Sequence, residues 1–112
     1  LYYFSYVPPG AEAEGAHHSV EHHYVFQTLN RSRRPYAGRD WDLSNQLADY
    51  WAHFLATGNP NGKAFAGGEL PKWDPYTAER KQAMEINYDL KMIDERTNDF
   101  IDLLIDYDLK RI

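Results

Sequence analysis

Four histidines within seven residues, beside a glutamate, are the part of this sequence best suited to chemistry. Residues 15–26 contain four of the five histidines of the chain, together with Glu21. Imidazole exchanges protons near neutral pH and binds transition metals when it is neutral, so the cluster suggests a proton carrier or a metal site. A solvated polar loop that leads into a short helix is the simplest alternative, because short patterns often match by chance.

The spacing of His18, Glu21 and His22 permits a zinc site. H-x-x-E-H is the pattern of inverted zinc peptidases, in which two histidines on one helix face bind zinc and the glutamate activates water. Such a site also needs a carboxylate ligand from further along the chain. The downstream candidates are Glu79, Glu85 and Glu95, and none of them lies in a motif that supports this role.

One histidine could instead be the general base of a Ser-His-acid triad. Such a base works with a serine, usually in a G-x-S-x-G turn, with an acid that orients its ring, and with donors to the oxyanion. The 112 residues contain no G-x-S-x-G. The triad interpretation therefore predicts that the serine comes from chain outside these residues.

Composition indicates a globular, acidic chain. Its 112 residues are 43% hydrophobic and 15% aromatic, which is enough for a core and argues against wholesale disorder. The net charge of −5 argues against a nucleic-acid surface. The absence of cysteine excludes disulfides and thiolate metal sites. No apolar run reaches the ~18 residues of a membrane span, so we expect no membrane partner either.

The histidine cluster is predicted to follow a buried strand. Residues 1–7 are apolar or aromatic on both alternating faces, which is typical of a central strand in a sheet covered on both sides. Pro8-Pro9-Gly10 ends the strand. A loop that leaves a strand is where α/β folds place catalytic groups. A short helix within residues 21–29 and a late strand over residues 82–87 are weaker predictions.

Two longer segments have the apolar spacing of helices. For residues 40–57 we predict a helix with Asp40 as its cap and Gly58 in a left-handed C-cap. Its core stripe consists of Leu43, Leu47, Tyr50 and Phe54, flanked by Trp51 and Leu55. A final helix is predicted over residues 97–112, with a stripe of Phe100, Leu103, Leu104 and Tyr107 and a solvated acidic face of Asp99, Asp102 and Asp106. The long loop between, residues 59–76, is predicted to be anchored by Trp73 and Tyr76.

A series of short motifs follows a fixed order across about residues 1–88. They are the aromatic strand at residues 1–6, Gly15-Ala16-x-His18-x-x-Glu21, Tyr24-Val25-Phe26, Leu43-Ser44, Tyr50-Trp51-x-x-Phe54, Thr57-Gly58-Asn59-Pro60-Asn61 and Trp73-x-x-Tyr76. Each motif is short, but their order and spacing together resemble the C-terminal part of the type-B carboxylesterase (cholinesterase-like) family. This family belongs to the α/β-hydrolases.

The resemblance implies an α/β fold class for the whole of residues 1–112, as one C-terminal portion of a carboxylesterase domain whose upstream catalytic half is absent. The expected parts are a core strand, the histidine loop, two main helices and a short late strand. The resemblance assigns His18 as the triad histidine and Glu21 as a buried supporting group that is not the triad acid. Tyr24 and Phe26 are candidates for the substrate pocket. His22 and His23 depart from the family pattern, so the local helix packing is expected to differ.

The function implied by this resemblance is that of a serine carboxylic ester hydrolase, with no cofactor and no metal. Its partners would be the N-terminal portion of the same enzyme and a small ester substrate, and the parent protein would be secreted or periplasmic. The isolated fragment is expected to be inactive and to self-associate through exposed strand edges and apolar faces. The alternatives are an H-x-x-E-H zinc peptidase-like site and a non-catalytic helical interaction domain.

Overall fold

A computed structural model describes residues 1–95 and 99–111 of the chain. The elements are strand β1 (Tyr2–Phe4), helix α1 (His22–Val25), a 3-10 turn (Leu29–Arg31), helix α2 (Gly38–Thr57), strands β2 (Gln82–Ile86) and β3 (Leu90–Asp94), and helix α3 (Asp99–Leu109). Thr97 and Ile112, the predicted ends of the last helix, lie outside the described residues. Within the described ranges, no helix is both long and apolar enough to cross a membrane.

The three strands form one mixed sheet in the order β1-β2-β3. β1 pairs parallel to β2, with Tyr2 opposite Met84 and Phe4 opposite Ile86. β2 pairs antiparallel to β3 in a hairpin. Because parallel neighbours need a crossover, the long connection from β1 to β2 carries α1 and α2. This arrangement is an α/β fold, as predicted.

The described sheet has β2 at its centre and β1 at one edge. β1, predicted as a central strand over residues 1–7, forms only three residues of strand and lies at the edge of the described sheet. Its Tyr2 and Tyr3 are 37% and 42% exposed. The weakly predicted late strand, β2, is the central one. β3 was not predicted, because Lys91 and Asp94 interrupt its apolar pattern.

The core lies between α2 and the sheet. Leu43, Leu47 and Tyr50 of α2 are fully buried, and they share one cluster with Met84 and Ile86 of β2. The predicted stripe stops one turn early, since Phe54 is 57% exposed and its flanking neighbour Leu55 is 84% exposed. The apolar spacing therefore predicted the helix correctly but overestimated the length of the buried stripe.

Both ends of α2 are fixed locally. The helix begins at Gly38, so Asp40 lies inside the first turn and not at the N-cap position that we predicted. It still caps the helix, because its Oδ2 accepts a hydrogen bond from the backbone N–H of Ala37 at 2.9 Å. Gly58 is left-handed, with φ of +77°, as the C-cap prediction required.

The loop over residues 59–76 is held by Trp73. The Trp73 ring packs edge-on against Tyr50 at 5.3 Å and is tilted against Trp51 at 6.0 Å between ring centroids. The Asn61 side chain binds both backbone groups of Trp73, at 2.6 and 2.7 Å. Tyr76 is 39% exposed and is fixed through its hydroxyl, which donates to Glu95 at 2.8 Å. Trp73 is thus the anchor within the core, and Tyr76 contributes at the surface.

Helix α3 forms as predicted, but its apolar stripe is exposed. Phe100, Leu103 and Tyr107 are 66%, 65% and 58% exposed, and no described residue of α3 is buried. Asp99, Asp102 and Asp106, the predicted acidic face, are exposed as well. The apolar pattern therefore predicted that this helix forms, but not whether its apolar face is buried.

Candidate functional site: the histidine loop

The histidine loop, defined as residues 7–23, follows β1 and includes the first two residues of α1. Gly10 and Gly15 have φ angles of +78° and +72°, values that L side chains rarely adopt, and they turn the chain back toward the sheet. Ala11 and Val20 are 0% and 5% exposed, and they pack the loop against the rest of the chain. The backbone N–H of Gly15 donates to the carbonyl of Ala11 at 2.7 Å. The histidines consequently lie on an exposed loop with buried supports.

His18 is at the tip of a tight turn. The backbone N–H of Val20 donates to the carbonyl of His17 at 3.2 Å, which places His18 and Ser19 at the two central positions. Ser19 has φ of +64°, the left-handed value that a type II turn needs at its third residue. The His18 side chain is exposed. The turn therefore projects the predicted catalytic imidazole away from the core of this chain.

The other histidines are engaged within the chain. The ring of His17 lies 3.2 Å from the carbonyl of His18, and that of His23 lies 3.0 Å from the Thr28 hydroxyl. His22 packs edge-on against Phe26, with 6.1 Å between the ring centroids. His53 lies far along the chain, on α2, where its Nε2 is 2.8 Å from the carbonyl of Lys63.

Glu21 connects the loop to β1. Its Oε1 accepts a hydrogen bond from the Tyr2 hydroxyl at 3.0 Å. Burial raises the pKa of Tyr2, and the hydrogen bond and the charge of Glu21 raise it further. The Glu21 side chain is half-buried in this chain, whereas a buried supporting group was predicted. The role of Glu21 as a supporting group stays a prediction.

Tyr24 lies in the core, and Phe26 lies at the surface. Tyr24 is fully buried, and its hydroxyl donates to Asp40 Oδ1 at 2.9 Å. Burial raises the pKa of Tyr24 far above its usual range, and the hydrogen bond to Asp40 adds to this effect. Phe26 is 70% exposed. Of the two pocket candidates, only Phe26 presents its ring outside the chain, and its pocket role stays a prediction.

Two residues near Tyr24 were not predicted to belong to the site. Asp40 was read only as a helix cap, and Ser44 only as part of a Leu-Ser motif. In the structure the Ser44 hydroxyl donates to the carbonyl of Tyr24 at 2.7 Å, and both side chains are buried. Their spacing of four residues could have indicated a shared contact, because it places Asp40 and Ser44 on one helix face.

The geometry of the loop does not favour the zinc interpretation. An H-x-x-E-H site needs both histidines on one helix face, but α1 begins only at His22. The left-handed Ser19 interrupts any helix between His18 and His22. Within residues 1–95 and 99–111, no three His, Asp or Glu side chains form a group that could hold a metal ion.

An aromatic groove of about 880 Å³ is lined largely by Tyr2, Tyr50, Trp51, Phe54 and Trp73. His18 is not one of its lining residues. Tyr2 is the link between the two regions, because its ring lines the groove while its hydroxyl binds Glu21.

Similar sequences are esterases and lipases. The model of the carboxylesterase family matches residues 1–103. Carboxylesterase 4A of Bos taurus is 35% identical over 85 residues, which are 72% of this chain and 14% of that protein. Acetylcholinesterase of Gallus gallus is 34% identical over 65% of this chain and 9% of its own length. Bile salt-activated lipase of Bos taurus is 35% identical over 65% of this chain and 12% of its own length. The chain thus spans a small part of each relative.

Solved structures show the same relationship. A thermophilic PNB esterase superposes with a TM-score of 0.73 at 20% identity, over 92% of this chain and 21% of that one. A carboxylesterase of Geobacillus stearothermophilus superposes with a TM-score of 0.62 at 29% identity, over 84% of this chain and 19% of that one. The described elements therefore have the arrangement of one portion of these larger folds.

Proposed function

Because the chain belongs to the carboxylesterase family and has part of an α/β-hydrolase fold, we propose that it supplies the catalytic histidine, His18, of a serine carboxylic ester hydrolase. In this proposal residues 1–112 are a C-terminal portion of the catalytic domain. The family membership favours this function over a zinc peptidase-like site and over a helical interaction domain.

The observation that carries the proposal is the placement of His18. It lies exposed at a turn tip on the loop that follows a sheet strand, whereas His17 and His23 are engaged with groups of this chain. The adjoining Ser19 holds a left-handed backbone, which costs a non-glycine residue roughly 1–3 kcal/mol, and such strained residues cluster at functional sites. Both features support an imidazole presented to a reacting group outside this segment.

His18 would move protons in both halves of an ester hydrolysis. It would take the proton of the serine hydroxyl as the serine attacks the ester carbonyl, and return it to the departing alcohol. It would then activate the water that releases the acyl group. The serine, the acid that orients the ring and the oxyanion donors would come from the N-terminal portion of the same enzyme, and Phe26 would border the substrate. This chemistry uses neither a metal nor a cofactor.

A histidine scan of the full-length enzyme tests the assignment. With a p-nitrophenyl ester, His18→Ala should lower kcat by roughly 10³-fold or more, while circular dichroism shows an intact fold. His17→Ala is the matched control, because it alters the adjacent residue. It should lower kcat far less than His18→Ala does. The isolated 112-residue chain should give no turnover above buffer.

Other outcomes of the scan would replace the proposal. If His17 is indispensable and His18 is not, the motif register is wrong by one residue. If His18, Glu21 and His22 are all essential, and both histidine variants lose a bound metal, the zinc peptidase-like site is correct. Turnover by the isolated chain that disappears with His18→Ala and survives serine-directed inhibitors would also overturn it.

A further inference from the structure

Both ends of the histidine loop meet beside one buried carboxylate. Asp40, on the first turn of α2, is 4% exposed. Tyr24, just after the loop, donates its hydroxyl to Asp40 Oδ1 at 2.9 Å. Tyr6, just before the loop, packs edge-on against the Tyr24 ring with 5.9 Å between centroids. Burial raises the pKa of Tyr6, and the Asp40 carboxylate raises it further.

The Asp40 carboxylate is itself rigidly placed. Its second oxygen, Oδ2, accepts the backbone N–H of Ala37 at 2.9 Å, which locks the side chain to the start of α2. One helical turn later, the Ser44 hydroxyl donates to the carbonyl of Tyr24 at 2.7 Å. α2 therefore holds Tyr24 at its hydroxyl and at its backbone.

His18 has little support of its own. It lies at the exposed tip of its turn, and Val20 is the nearest buried side chain that follows it. The position of the imidazole therefore depends on the anchors of the loop, which are the buried Ala11 and Val20 within it and Tyr6 and Tyr24 at its two ends. A shift of about 1 Å in a catalytic group can lower the rate by about 10²-fold.

We propose that Asp40 and Tyr24 are positioning residues for His18, acting through the two ends of the histidine loop. This inference rests on the proposed function of His18. Asp40 would not be the triad acid, because it is buried beside Tyr24 whereas the His18 side chain is exposed at its turn. Its role is to set the location of the loop, and the orientation of the imidazole ring is left to the triad acid.

Two matched tyrosine variants of the full-length enzyme test this role. Tyr24 and Tyr50 are both fully buried in the same core, and each phenol donates one hydrogen bond, to Asp40 and to the carbonyl of Pro71 respectively. Tyr24→Phe should lower kcat about tenfold with KM changed less than about twofold, because catalytic geometry and not binding is disturbed. Tyr50→Phe should leave kcat unchanged while lowering Tm by a similar amount.

Equal kcat values for the two variants, at equal loss of Tm, would show that Tyr24 is merely structural and would overturn the inference. A second test uses the Asp40→Asn variant. Tyr24→Phe should lower kcat less in that background than in the wild type, because both changes disturb the same hydrogen bond. Additive losses of kcat would contradict the proposal.

The His18→Ala variant, measured in the same series, separates the two proposals. Full activity of the His18→Ala variant would overturn the proposed function itself. A large loss in His18→Ala, together with identical behaviour of Tyr24→Phe and Tyr50→Phe, would overturn only the positioning role.

Discussion

Helices α2 and α3 have the same kind of apolar stripe but opposite surroundings. On α2, Leu43 and Leu47 are fully buried against the sheet and α1. On α3, Phe100 and Leu103 are 66% and 65% exposed. An apolar stripe at helical spacing thus predicts that a helix forms and that one of its faces is suited to burial. It carries no information about where the covering surface lies.

A difference in burial between α2 and α3 is expected of a chain that spans 9% to 14% of the lengths of its relatives. Contiguous exposed apolar surface usually marks an interaction site. In the proposed enzyme, the N-terminal portion would cover α3. It would also pair with the edge of β1 that faces away from β2, an edge that no described strand occupies. The two helices would then differ only in which part of the protein buries them.

The largest difference between the helices should appear in core truncations of the isolated chain. Leu47→Ala should destabilise the fold by about 2–5 kcal/mol, because it leaves a cavity in a packed core. The same change on α3, Leu103→Ala, should alter stability by less than about 0.5 kcal/mol. Urea unfolding at low protein concentration measures both. Equal costs would mean that α3 packs onto the core in solution, and the comparison would fail.

A smaller effect than that of the core truncation is expected when α3 is altered and the self-association of the isolated chain is measured. The isolated chain should associate, since α3 and the edge of β1 expose apolar and hydrogen-bonding groups. Leu103→Lys should raise the concentration at half-association about tenfold, which corresponds to about 1.4 kcal/mol. Asp106→Asn, on the acidic side of the same helix, is the control and should change it little. Light scattering over a concentration series would contradict the expectation if the unaltered chain stayed monomeric and bound no hydrophobic dye.

Features that depend on neighbouring residues were predictable from the sequence. Gly58 ends α2 in the left-handed conformation, and Asp40 caps its start, because both effects arise within one helical turn. The strand over residues 82–86 also formed where Met84 and Ile86 alternate. The choice of His18 among four nearby histidines came from the order of the family motifs, since all of them have the same chemistry.

Features that depend on distant partners were not predictable. Within the described sheet β2 lies between β1 and β3, and the apolar patterns of the strands do not contain this order of neighbours. Glu85 is buried on β2, where its carboxylate accepts the hydroxyl of Ser5, 80 residues away, at 2.9 Å. The bond from Tyr24 to Asp40 likewise joins residues 16 apart. A sequence pattern identifies which side chains can form hydrogen bonds, but only the packed chain decides which of them meet.

The smallest effect is expected in alkaline solution, and it should arise on the α2 side of the molecule. Burial, and then the bond to Asp40, raises the pKa of Tyr24 above the usual 10.0, and burial raises the pKa of Tyr50 in the same direction. The folded state therefore keeps these protons more firmly than the unfolded chain does. Their contribution to stability is complete below about pH 10 and is lost as the pH rises further.

The urea midpoint of the chain should accordingly fall as the pH is raised above about 10, where tyrosines of the unfolded chain ionise. The double variant Tyr24→Phe/Tyr50→Phe is less stable at neutral pH, but its midpoint should fall less steeply over the same range, because two of the protons that couple folding to pH are gone. Tyrosinate absorbance, recorded in parallel, reports when the phenols ionise. Identical slopes for the wild type and the double variant would mean that Tyr24 and Tyr50 ionise without unfolding. The α2 core would then be as open to water as α3.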